Sequence, residues 1–157
     1  MIFLSIMIKH KEIYLSDFSC SQLYRLVEDV ESYPEFLPWC SAARIIQADK
    51  KNMIAELVIH FASIHEKYRS KIILSPPEEE MSKCEIQVQL IEGPFKTLNN
   101  HWIFELDKET NRTKVTFYIE FEFQSKLLQK MIGFMFESAL MKMMTSFEVR
   151  AQKIYGD

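Results

Sequence analysis

Residues Lys114–Tyr155, KVTFYIEFEFQSKLLQKMIGFMFESALMKMMTSFEVRAQKIY, change their hydrophobic period part-way along. Val115, Phe117, Ile119, Phe121 and Phe123 alternate with Lys114, Thr116, Tyr118, Glu120 and Glu122. That period of two belongs to a strand with one buried and one wet face. From Ser125 the period becomes 3.6. Leu128, Ile132, Phe136, Ala139, Leu140, Met143, Phe147 and Ile154 share one helical face, opposite Lys130, Glu137 and Glu148. The spacing predicts one helix from Ser125 to about Tyr155, about 45 Å long at ~1.5 Å per residue. A helix this long needs an apolar surface to lie on, and a one-faced sheet needs a cover.

Upstream, the same alternation recurs. Cys84, Ile86, Val88 and Leu90 alternate with Glu85, Gln87 and Gln89, and further strands are predicted at Ala43–Ala48, Met53–Phe61, Glu66–Leu74 and Asn99–Leu106. Turn-rich Asp49–Asn52, Ser75–Glu80 and Asp107–Arg112 separate them at hairpin intervals. A first strand is expected at Met7–Leu15, with apolar Met1–Ile6 either extending it or preceding a translation start at Met7. Ser19 and Gln22 have the spacing of a capping box, with Phe18 and Leu23 as a hydrophobic staple. They open a helix whose stripe is Leu23, Leu26, Val27 and Val30 and which ends near Glu31. Pro34 suits the first turn of a second short helix, and Pro38 limits it to about a turn. The sum is an α+β fold in which a curved antiparallel sheet wraps around a long C-terminal helix.

The 157 residues, 48% hydrophobic with only 3 Gly and 5 Pro, read as one domain over 1–157 and not as a disordered chain. No run of about 18 apolar residues is present to cross a bilayer. The net charge of −3 and the lack of a Lys/Arg cluster speak against DNA as a partner. Cys20, Cys40 and Cys84, an odd set without CxxC spacing, read as reduced thiols of a cytoplasmic protein. The apolar N-terminus lacks the basic residues and cleavage site of a signal peptide.

Two features exceed a generic core. Five of the 9 Met, at 131, 135, 141, 143 and 144, fall in the final helix, where flexible thioethers suit either gap-filling or adaptable apolar ligands. Phe36, Trp39, Phe61, Phe95, Trp102, Phe121 and Phe123 crowd the predicted strand ends, and rigid rings against a curved sheet tend to leave a pocket. The final helix also carries a second stripe, Leu127, Phe134 and Met141 with Met131 alongside, about 160° from the core line. A loop, a second subunit or a lipid surface must cover it. His10, His60, His65 and His101 are scattered, no zinc-type spacing occurs, and no acid–base pair stands out. Glu56, Glu66, Lys67 and Arg69 are expected to face solvent or one another.

Tyr33-Pro34-Glu35-Phe36-Leu37-Pro38-Trp39-Cys40 resembles a segment of the coenzyme Q-binding START-domain family. This is a branch of the polyketide cyclase/START-like superfamily that includes the RatA-type ribosome-association toxins. The similarity continues through Glu92–Lys96, Trp102–Phe104, Phe121–Leu128 and Phe147–Ala151, in the same order over nearly the whole chain. The Met1–Ile6 extension departs from it, as does Asn99-Asn100 where small or apolar residues are commoner.

The resemblance implies a helix-grip fold with a lipid-sized tunnel between sheet and helix, and ubiquinone or a related polyprenyl quinone as ligand, without a cofactor. Phe36, Leu37, Pro38 and Trp39, with the Gly93-Pro94-Phe95 bend, would border the mouth. Phe61, Trp102, Phe121, Met135, Phe136, Ala139 and Met143 would complete the ligand site, and headgroup partners are expected near Trp39 and Lys96. The expected role is non-enzymatic delivery of quinone in support of respiration. The protein would be cytoplasmic and touch the inner membrane surface transiently through Leu127, Met131, Phe134 and Met141. The alternative partner is the large ribosomal subunit, whose association with the small one a RatA-type protein blocks.

Overall fold

The computed structural model describes residues 7–156, so the expectation for Met1–Ile6 lies outside the described residues. Strand β1 (Ile8–Ser16) leads into helix α1 (Cys20–Glu28) and a 3-10 helix (Val30–Glu35). Six strands follow: β2 (Cys40–Ala48), β3 (Asn52–Phe61), β4 (Ile64–Ser75), β5 (Cys84–Glu92), β6 (Phe95–Asp107) and β7 (Arg112–Phe123). Helices α2 (Lys126–Met141) and α3 (Met143–Tyr155) end the chain. The seven strands form one antiparallel sheet in the order β1-β7-β6-β5-β4-β3-β2. Only β1 is out of sequence; it closes against β7, so the last strand hands the chain directly to α2.

Alternation and register together build the concave face. Ile86 pairs with Trp102 and Trp102 with Phe117; Val88 pairs with Asn100 and Asn100 with Ile119. These side chains therefore form rows across the sheet, and α2 and α3 lie on them. The outer face carries the charges. Glu56, only 6% exposed, accepts from Arg44 Nε at 3.0 Å and from Arg69 Nε at 2.9 Å, with Lys67 Nζ at 3.7 Å. This is the mutual pairing expected of Glu56, Lys67 and Arg69.

At α1, Ser19 Oγ accepts from Gln22 N at 3.1 Å while Ser19 N donates to Gln22 Oε1 at 3.0 Å, which is the expected capping box. The helix stops at Glu28, short of Glu31, and the 3-10 helix begins at Val30, so Pro34 lies inside it and not at its start. Cys20, Cys40 and Cys84 are buried free thiols, and burial pushes Cys40 up to about 11.

The single C-terminal helix is two. Lys142 separates them with φ −93° and ψ −6°, at the shallow edge of the right-handed helical region, and its N–H is shared between the carbonyls of Ser138 (3.3 Å) and Ala139 (3.2 Å). Ser146 Oγ donates back to the Lys142 carbonyl at 3.1 Å, a bond that bends helices. The buried face runs on across the break. Met143, Met144, Phe147 and Ala151 are buried on α3, whereas Ile154, assigned to the core by straight periodicity, is 48% exposed.

Candidate functional site

The space between sheet and helices is organised by two rings on the helices. On α2, Phe136 has five aromatic neighbours: Phe121 at 4.7 Å between centroids, Phe95 and Phe123 at 5.7 Å, Phe61 at 5.8 Å and Trp39 at 6.4 Å. On α3, Phe147 meets Trp102 at 5.0 Å, Phe36 at 5.1 Å and Tyr33 at 5.6 Å, each edge to face. Between the two clusters the sheet and helices fail to close. A cavity of about 70 Å³ remains, bounded on the helix side by Phe136, Leu140, Met143 and Phe147.

The segment Tyr33–Trp39 forms one end of it. Leu37 N donates to the Tyr33 carbonyl at 2.8 Å, and His60 N donates to the Trp39 carbonyl at 2.7 Å, which ties the segment to β3. Tyr33 donates its phenol proton to the Val27 carbonyl. Leu37 and Trp39 thereby reach the cavity, while Pro38 and Trp39 border a second space outside it. This outer groove, about 510 Å³, runs between the β3–β4 hairpin and the α2–α3 junction, along His60, Phe61, Ala62, Phe134, Met135, Ser138, Ala139 and Lys142. Trp39 is the wall common to both.

The residues expected at the ligand site thus separate into groups. Leu37, Trp39, Trp102, Phe136 and Met143 line the cavity; Pro38, Phe61, Met135 and Ala139 join Trp39 on the groove. Phe36 lies further out, under the Arg150 guanidinium at 5.1 Å, on a neighbouring groove. Phe95 and Phe121, 1% and 0% exposed, border neither space and pack against Phe136. Lys96 is exposed and borders neither. Gly93 makes the bend before Phe95 at φ +152°, where a Cβ would overlap that of Tyr68 and stand 3.0 Å from its Cα. The bend is therefore bound to the cavity wall through Tyr68. Leu127, Met131, Phe134 and Met141 are 65%, 50%, 83% and 63% exposed, and no described element covers them.

The polar lining was not singled out in advance, apart from Asn100. Tyr68, Ser70 and Asn100 all border the cavity, and Asn100 Nδ2 donates to the Tyr118 carbonyl at 2.9 Å. In Lys67-Tyr68-Arg69-Ser70-Lys71-Ile72 the charged residues alternate with these inward ones, so the signal was present. Burial pushes both Tyr33 and Tyr68 well above the ordinary phenol range, so both stay neutral. The cavity thus offers an apolar wall with neutral hydrogen-bonding groups. Among the described residues, no group of three or more His, Cys, Asp or Glu could hold a metal, and no helix is long and apolar enough to cross a membrane.

Residues 16–148 match the family model described as polyketide cyclase / dehydrase and lipid transport. The chain belongs to this family. Among its relatives, the ribosome association toxin RatA of Rickettsia prowazekii is 39% identical over 133 residues, 85% of this chain and 88% of that one. The Escherichia coli protein of the same name is 34% identical over 143 residues, 90% and 85% of the two chains. Coenzyme Q-binding protein COQ10 homolog B of Xenopus laevis is 30% identical over 152 residues, covering 95% of this chain and 60% of the relative. Among solved structures, an 18 kDa Caulobacter crescentus protein superposes with a TM-score of 0.70 at 32% identity, over 96% of this chain and 99% of that one. A Streptomyces aromatase/cyclase superposes with 0.72 at 13% identity, over 94% and 95%, which shows the helix-grip fold alone.

Proposed function

We propose that the protein binds and carries ubiquinone or a related polyprenyl quinone, without catalysing a reaction. The observation that carries this reading is the apolar cavity and its shared wall, Trp39, with an outer groove. A polyprenyl tail gains ~0.8 kcal/mol for each CH₂ removed from water, so it needs apolar surface and not hydrogen bonds. Quinone carbonyls accept hydrogen bonds, and the neutral phenol of Tyr68 and the hydroxyl of Ser70 are donors on the wall. The coenzyme Q-binding relative, aligned over 95% of this chain, supports the same ligand class.

An apolar cavity needs ~150 Å³ to hold a benzene-sized ring, so about 70 Å³ is a closed state. Loading requires α2 to lift. Of its 16 residues only Ile132, Gly133, Phe136 and Leu140 are buried, and the bend at Lys142 gives it a hinge. Lifting α2 withdraws Phe136 from its ring cluster and joins cavity to groove. The test is extraction of the purified protein with organic solvent and mass spectrometry of the extract. A prenylated quinone in stoichiometric amount is the expected result; no quinone, and none taken up from quinone-loaded vesicles, refutes the reading.

The second reading is binding to the large ribosomal subunit, favoured by the 39% and 34% identity to proteins named as ribosome association toxins. Its expected result is co-sedimentation with the large subunit at moderate salt. A carrier alone stays in the supernatant.

A further inference from the structure

The outer groove does not end at the α2–α3 bend. Lys142 and Ser146 border it and also border a neighbouring groove of about 450 Å³, lined by Glu35, Phe36, Thr145, Val149, Arg150 and Lys153. The two make one furrow of opposite halves. The α2 half is apolar, with Trp39, Phe61, Met135 and the 83% exposed Phe134. The α3 half carries Lys142, Arg150 and Lys153 against a single carboxylate, Glu35, which Arg150 Nη2 contacts at 2.5 Å. Arg150 Nε is buried without a hydrogen-bond partner. Lys142, Thr145 or Ser146, Val149 and Lys153 recur at helical spacing, so the cations and hydroxyls stand in one stripe.

An elongated site with an apolar half and a cationic half matches an amphiphile with a negatively charged head. We propose that this furrow is a seat for an anionic phospholipid of a bilayer. The phosphate lies among Lys142, Arg150 and Lys153, and an acyl chain lies along Trp39, Phe61, Phe134 and Met135. An RNA strand would satisfy the cations and could stack a base on exposed Phe134, but it has no alkyl chain to follow the groove past Phe61, Met135 and Ala139, so lipid is the better match. Leu127, Met131 and Met141 are exposed and recur with Phe134 at helical spacing, so they would enter the interface with it. The seat deepens the carrier reading, because it sets the groove that leads to the cavity against the membrane that stores the ligand.

The test is flotation with quinone-free vesicles, of phosphatidylcholine alone or with phosphatidylglycerol mixed in. The protein is expected to float with the anionic vesicles and not with the neutral ones. Reversing Lys142 and Lys153 together, K142E/K153E, should weaken that binding roughly thirtyfold. Reversing exposed Lys9 and Lys11 on β1, K9E/K11E, should change it less than threefold although the net charge changes equally. Equal binding to both vesicles, equal loss in both double variants, or displacement from anionic vesicles by a short single-stranded RNA would each overturn the proposal. Because these vesicles hold no quinone, flotation reads docking alone; docking here together with no quinone in the extraction test and none taken up from quinone-loaded vesicles would sink the carrier reading and leave the seat intact.

Discussion

Ser146 Oγ, in the first turn of α3, donates at 3.1 Å to the carbonyl oxygen of Lys142, the one residue that separates α2 from α3. The same carbonyl also accepts the helical bond from Ser146 N at 3.0 Å, so the hydroxyl competes with the backbone for it. Replacing Ser146 by Ala removes this competition and favours a straighter junction. The expected outcome is a rise in thermal midpoint of about 1–2 °C, because such a bond costs a helix only tenths of a kcal/mol. Hydrogen exchange at the amides of 138–146 should slow in the same variant. An unchanged exchange pattern would mean that packing, and not this bond, sets the bend.

The bend also marks the limit of what could be read in advance. The strands were legible because inward and outward residues alternate without interruption, as Val115 to Phe123 do. The helix faces were legible for the same reason, one turn at a time. The break was not, since Lys142 is neither Gly nor Pro and a hydroxyl four residues later leaves no trace in hydrophobicity. Met143 and Phe147, beyond it, still fall on the expected core face, whereas Ile154 shares that face by periodicity but lies exposed in the last turn of α3. The cavity residues divide likewise. Those on the strands and on α2 follow from their faces, whereas Phe95 and Phe121 differ from Trp102 only in which gap the curved sheet leaves unfilled.

Gly93 holds φ +152° with the Tyr68 backbone against the place of its missing side chain. Gly93→Ala must move the bend or the wall. A destabilisation of about 2 kcal/mol or more is expected in urea, above the ~1 kcal/mol of ordinary Gly→Ala strain, because a φ penalty and a backbone collision act together. If the variant matches the parent protein, the bend is not held by Tyr68.

The hydrogen bonds from Arg69 and Arg44 hold the Glu56 carboxyl below the usual carboxylate range, against the opposing effect of its desolvation. A depressed folded-state pKa gives stability that is fully present above the unfolded-state value and is lost as pH falls through the folded one. Glu56→Gln abolishes this proton uptake. The stability gap between parent and E56Q, measured by denaturant titration, should therefore be constant from neutral pH down to about 5 and shrink below that. A gap that stays constant into acid would show that Glu56 is held by shape alone.

Trp39 and Met143 test the cavity from its two ends. Trp39 is the wall between cavity and groove, so Trp39→Ala removes the partition. Truncating so large a buried ring costs about 3–5 kcal/mol, yet uptake of a short-chain quinone from solution should become faster, because α2 no longer has to lift fully. Met143 borders the cavity and not the groove, and Met143→Trp fills the space from the α3 side at about 1–3 kcal/mol of overpacking. Quinone bound per protein should then fall to background while vesicle flotation is kept. Both variants lose stability, so general damage predicts that both lose quinone. Only a ligand that passes Trp39 and comes to rest against Met143 makes the first variant load faster and the second not at all.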